Sequence, residues 1–345
     1  MDQCIYQKVS GSKIYFLILY VDDILLATND KGLLYEVKQF LSKSFDMKDM
    51  GDASYVIGIK IQRDRVRRIL GLSQEAYINK VLERFRMKDC SPSVAPIVKG
   101  DRFHLEQCPK NDFEREQMFN IPYASVVGSL MYAQVCTRPD IAFAIGMFGR
   151  YQSNLGMEHW KAAKKVMRYL KGTKDYMLMY RRTEDLEVKG YSDSDFAGCV
   201  DSRKSTSGYI FMLAGGAVSW KSAKQTLIAT STMEAEFVSC FEATSHGVWM
   251  KSFISGLKIV DSISRPLKMY CDNSAAVFMA KNNKSGSRSK HIDIKYLAIR
   301  ERVKDQTIVI EHISTELMIA DPLTKGMPPS KFKDHVESMG LGSHI

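Results

Sequence analysis

The chain has 345 residues, room for two or three domains at about 150 residues each. Hydrophobic residues make up 45%, which excludes wholesale disorder, and a formal net charge of +10 favours a polyanionic partner, nucleic acid or an anionic membrane surface. The seven cysteines include no Cys-x-x-Cys pair and no Cys/His cluster at zinc spacing, which excludes a zinc ribbon and points to reduced thiols in a cytoplasmic or nuclear protein.

Residues 13–28 read as two apolar strands joined at Asp22 and Asp23, within "ILYVDDILLAT". The apolar stretch before the acids is too short to cross a membrane and no signal-type segment precedes it, so no membrane partner is expected. Adjacent acids repel and are costly to desolvate. Such a pair persists beside a metal ion or on a turn that water reaches. "LLYEVKQFLSKSF" (33–45) has helical spacing, residues 54–73 read as a hairpin with an Arg-rich tip, and 75–87 as a helix: an α+β segment. Residues 90–122 lose periodicity and carry Pro92, Pro96, Pro109 and Pro122, as a loop or linker does.

Helical patterns follow at 123–135, 139–153 and 157–171. In the third, Trp160, Ala163, Met167 and Leu170 fall on one face, and Lys161, Lys164, Lys165, Arg168 and Lys171 on another. A cationic stripe is either a solvated surface or a track for a phosphate backbone. From 186 the pattern becomes mixed α/β. A strand ends in "YSDSD", a hairpin turns at Gly215 and Gly216, and a long helix spans 231–257. A strand then enters a helix (266–282), a helix covers 291–303, a strand 307–314 and a short helix 316–326.

Four acids of this half stand at element ends or on inward faces. Asp193 ends the first strand, Glu236 lies early in the long helix, Asp272 ends the fourth strand, and Asp321 lies in the last short helix. If the strands share one sheet, Asp193 and Asp272 lie side by side, and packed helices can add Glu236 and Asp321. Four converging carboxylates destabilise one another without cations. With two Mg²⁺ about 4 Å apart they form a site for in-line phosphodiester hydrolysis. Taken singly, each acid could instead be a turn former, a cap or a surface residue.

"YSDSDFAG", "SWKSAKQTLIATSTMEAEF", "YCDNSAAV", "KHIDIKYLAIRE" and "ADPLTKG" resemble the ribonuclease H domain of copia-type LTR retrotransposon Pol proteins. "YVDDILLA" resembles the reverse-transcriptase palm hairpin of the same polyproteins, and "IPYASVVGSLMYAQVCTRPDIAFAI" the segment between the two. The resemblance implies a truncated palm over 1–90, a linker over 91–122 and a helical thumb or connection over 123–180. It further implies a ribonuclease H-like α/β domain with a mixed five-stranded sheet over 186–328, and a tail over 329–345. Carried over motif by motif, the catalytic and metal-ligating set is Asp193 (rather than Asp195), Glu236, Asp272 and Asp321, with two Mg²⁺ and Mn²⁺ as a substitute. The implied substrate is an RNA–DNA hybrid, and an N-terminal Pol half is a further candidate partner. Asp22 and Asp23 correspond to two of three polymerase carboxylates. The only acid before them, Asp2, stands too close, so polymerase activity is not expected of this chain alone. His312 lies where many cellular ribonucleases H keep a product-release histidine; a core or surface role is the alternative. The competing reading of the whole is a catalytically silent nucleic-acid-binding remnant.

Overall fold

The structure, a computed structural model, describes residues 4–184, 186–281 and 290–343, so Asp2 lies outside the described residues. Strands β1 (Ile5–Ser10), β2 (Lys13–Tyr20) and β3 (Asp23–Thr28) form an antiparallel meander. Tyr20 pairs with Asp23, which leaves Val21 and Asp22 as the two-residue turn. Val21 takes φ 53°, a left-handed conformation that strains a β-branched residue. Helix α1 (Lys31–Ser44) starts where Asp30 accepts a hydrogen bond from Leu33 N.

Strands β4 (Tyr55–Val56), β5 (Ile59–Asp64) and β6 (Ile69–Ser73) run antiparallel, with Arg65, Arg67 and Arg68 at the tip between β5 and β6. Helix α2 (Glu75–Arg84) buries Ile78, Val81 and Leu82. The aperiodic stretch that follows carries a short helix, α3 (Asp112–Phe119). Its signal is a cap, not a stripe. Asn111 accepts from Glu114 N, the Glu114 carboxylate accepts from Lys110 N, and Met118 alone is buried.

Helices α4 (Tyr123–Cys136), α5 (Ala142–Phe148) and α6 (Met157–Gly172) supply much of the first core. The α5 pattern is flanked by 3₁₀ turns at Pro139–Ile141 and Gly149–Tyr151. Arg138 is fully buried between α4 and α5. It forks onto Asp140, donates to Thr173 O and Thr173 Oγ1, and Tyr169 OH also donates to Asp140. Such a pair fixes geometry, and losing one partner costs about 3–5 kcal/mol.

Strand β7 (Met177–Arg181) joins β6 in the second sheet. Strands β8 (Lys189–Ser194), β9 (Thr206–Leu213) and β10 (Gly216–Lys224) then form an antiparallel run. Helix α7 (Thr232–Leu257) crosses to β11 (Leu267–Cys271), and helices α8 (Ser274–Lys281) and α9 (Lys290–Lys304) lead to β12 (Ile308–His312). The strand order is β10-β9-β8-β11-β12, with β11 parallel to both β8 and β12. This is the expected mixed five-stranded sheet. Along β9, Ile210 and Met212 face the first core while Tyr209 and Phe211 face a second core with α7, so the period-2 alternation buries both sides.

Residues 316–326 form two 3₁₀ turns, Thr315–Leu317 and Asp321–Leu323, in place of the expected short helix. Pro322 lacks the N–H and the freedom that a longer helix needs. Helix α10 (Pro329–Ser338) follows, and β13 (Leu341–Gly342) pairs with β7, giving a second sheet ordered β13-β7-β6-β5-β4. Among the described residues, no helix is long and apolar enough to cross a membrane.

Candidate active site

Sheet register brings the first two acids together. Asp193 is the penultimate residue of β8, and Cys271 at the end of β11 pairs with Ser192. Parallel pairing then sets Asp272 beside Asp193 at the same sheet end. Helix α7 opens with Ser231 as cap and lies on β8 and β9, which turns Glu236 inward, 7% exposed. Asp321 starts the 3₁₀ turn that abuts β8 and β9.

Ligand atoms of Asp193, Asp272 and Asp321 lie within 4.8 Å of one another, and so do those of Glu236, Cys271 and Asp272. Asp272 belongs to both groups. The four acids named from the sequence therefore meet, as two overlapping sets.

Each carboxylate is held by neighbours. Thr324 Oγ1 donates to Asp193 Oδ2 in a short hydrogen bond, and Ser239 Oγ donates to Asp193 O at 2.7 Å. Ser194 N donates to Glu236 Oε1 at 3.2 Å, and Thr315 Oγ1 to Asp272 Oδ2 at 2.9 Å. Lys325 Nζ stands 3.1 Å from Asp321 Oδ1 and 3.5 Å from Asp193 Oδ2. His312 Nε2 lies 3.1 Å from Asp272 O on an exposed side chain.

Burial dominates the electrostatics. It raises Asp193 to about 7, against the pull of Lys325 and with help from Asp321. It raises Glu236 to about 11, with Asp193 as the next cause, and it raises Asp321 as well. Asp195, the acid passed over, accepts from Thr206 N and rises to about 6, again through burial. Carboxylate oxygens are the donor set that hard divalent cations favour. Asp193, Glu236, Asp272 and Asp321 fit such ions.

The other predicted residues lie apart. Asp22 and Asp23 are exposed at the β2–β3 turn, and among the described residues neither belongs to a three-member group able to hold a metal. On α6 every cation has a partner within the chain. Lys161 pairs with Glu158, and Lys164 lies over Trp160. Lys165 pairs with Asp101, Arg168 donates to Ser91 O, and Lys171 donates to Cys90 O. Three of the five thus pin the 90–101 stretch. Thr324 and Lys325 join the site without belonging to the predicted set. Their signal is spacing, since positions three and four beyond Asp321 share its face of a turn.

A family model described as "Reverse transcriptase (RNA-dependent DNA polymerase)" matches residues 1–99. The Retrovirus-related Pol polyprotein from transposon TNT 1-94 of Nicotiana tabacum is 44% identical over 344 residues, covering 99% of this chain and 26% of that protein. That from transposon RE2 of Arabidopsis thaliana is 34% identical over 340 residues, covering 99% of this chain and 23% of that protein. The chain belongs to the copia-type retrotransposon Pol family. This Pol chain spans about a quarter of the length of these two relatives. Among solved structures, LC11-RNase H1 in complex with RNA/DNA hybrid is similar over 40% of the Pol chain and 94% of that chain, at 18% identity and TM-score 0.31. The foamy viral protease-reverse transcriptase in complex with double-stranded DNA is similar over 87% of the Pol chain and 46% of that chain, at 14% identity and TM-score 0.47. In the Pol chain itself, three antiparallel strands followed by two parallel ones, with α7 laid across them, give the C-terminal sheet its ribonuclease H-like arrangement.

Proposed function

We propose that this Pol chain hydrolyses the RNA strand of RNA–DNA hybrids, with Asp193, Glu236, Asp272 and Asp321 holding two Mg²⁺ ions, for which Mn²⁺ substitutes. The observation that carries the reading is the meeting of these four acids, two overlapping sets sharing Asp272, at one end of the mixed sheet. Bound metals of this kind lower the pKa of an attacking water and stabilise the leaving oxygen. The protein's part is to hold the carboxylates in place. Thr324 fixes one oxygen of Asp193, Ser194 N one oxygen of Glu236, and Thr315 one oxygen of Asp272, which orients the other oxygen of each of these three acids. Residues 186–328 are the unit of this chemistry, and Asp22 and Asp23 of the palm-like residues 1–90 have no role in it. Phosphate contacts of the α6 cations belong to the same proposal, with Lys161 and Arg168 the most exposed of them.

The test is cleavage of a labelled RNA–DNA hybrid by the full chain in Mg²⁺. Wild type is expected to cut the RNA strand, and Asp193→Asn to lose at least about a hundredfold in rate. A folded wild-type chain that leaves the hybrid intact in both Mg²⁺ and Mn²⁺ establishes the silent remnant instead.

A further inference from the structure

One cation stands inside the carboxylate cluster. Lys325 Nζ lies between Asp321 Oδ1 and Asp193 Oδ2, at 3.1 and 3.5 Å. Local backbone geometry puts it there. Lys325 N donates to Asp321 O at 3.2 Å, so residue 325 stands one turn beyond 321 and over its carboxylate. Thr324, beside it, donates to the same Asp193 oxygen that the ammonium approaches.

The two ends of this ion pair differ in access. The carboxylates are 1% and 5% exposed, whereas the lysine side chain is 38% exposed. An ammonium on a flexible four-carbon stem that reaches inward from solvent can swing out without moving the backbone. The acids cannot follow, because β8 and the 3₁₀ turn fix them. Asp193 and Asp321, with Asp272, are also one of the two sets close enough to hold a metal ion. The ammonium therefore neutralises the charge that an ion would neutralise, on the same oxygens.

Resting on the two-metal reading, we propose that Lys325 is a resident counter-cation. It holds Asp193 and Asp321 together in the metal-free protein, and a divalent ion displaces it into solvent on binding. Two opposed consequences follow. The lysine preserves the shape of the cluster without metal, and it competes with metal for the cluster, so it sets the ion concentration at which the site fills.

Calorimetric titration of the full chain with Mg²⁺ alone, without nucleic acid, tests this. Lys325→Met and Lys325→Gln are expected to bind Mg²⁺ about tenfold more tightly than wild type, because a like charge has left the site. Both are expected to melt at a lower temperature without metal. Lys325→Arg, which keeps the charge, is expected to bind Mg²⁺ much as wild type does. If Lys325→Met does not fold, Lys325→Gln carries the same expectation. Equal or weaker Mg²⁺ binding by the neutral variants overturns the proposal, since the lysine then shapes the site without competing. Absence of Mg²⁺ binding by every protein overturns the metal reading and this inference with it. Titrations as expected, with no hybrid cleaved, remove the nuclease reading and leave the displacement standing.

Discussion

Asp193 is an acid that its surroundings keep from ionising. In the folded chain it titrates near 7 because it is buried, far above an exposed aspartate. An acid whose folded pKa is raised contributes stability that is complete at low pH and lost as pH climbs from the unfolded value through the folded one. In metal-free protein, Asp193→Asn is therefore expected to melt with wild type near pH 4 and increasingly above it toward pH 8. Thermal melts of the two proteins in chelator check this, and a difference that does not change with pH overturns it. Comparing the pair matters, because His159 and His335 are held neutral by burial and push both proteins the other way, losing stability as pH falls through about 6.5. The four acids were legible in the sequence because each stands at the end of an element or on a face that a sheet must cover. Thr324 and Lys325 carry only a local signal, their spacing from Asp321; their reach to Asp193 was not legible, since it depends on a 3₁₀ turn closing onto β8 from 131 residues away.

Helix α6 shows what an amphipathic pattern leaves undecided. Its apolar face was legible: Ala163, Met167 and Leu170 are buried. Its cationic face has one period and two tasks. Lys165, Arg168 and Lys171 reach the 90–101 stretch, whose lack of periodicity hid that it packs on α6 at all. Lys161 and Lys164 reach only neighbours on their own helix. If these two also meet phosphates, Lys161→Ala with Lys164→Ala is expected to lower the slope of log affinity against log salt by about 2, for a labelled hybrid followed by anisotropy. An unchanged slope assigns the stripe to folding alone. The same limit applies to α3 and to the turns around Asp321, where caps and proline rather than apolar spacing decide the outcome.

Across the whole molecule, the second sheet ties distant segments together. Residues 55–73, 177–181 and 341–342 share it, and Phe332, Val336, Met339 and Leu341 enter the first core beside α6. Burying four such side chains is worth about 1.5–3 kcal/mol each, comparable with the net stability of a domain. Deletion after residue 328 is expected to abolish the cooperative melt of the whole chain, although it touches no acid of the candidate site. Calorimetry or circular dichroism of the truncated chain checks this, and an unchanged transition overturns it. The sequence of strands and helices after residue 186 was readable from pattern and motifs; this closure was not, because β7 adjoins a stretch of helical pattern and β13 has two residues and no pattern of its own.

The bond between Thr324 and Asp193 also has a consequence in time. A ribosome adds about 5–20 residues per second, so the 131 residues between the two take on the order of ten seconds to appear. Throughout that interval the first strand has been made, while the turn that orients its acid has not. A nascent chain still on the ribosome therefore carries Asp193 without the hydroxyl that fixes its carboxylate, and the candidate site assembles only when residue 324 has emerged.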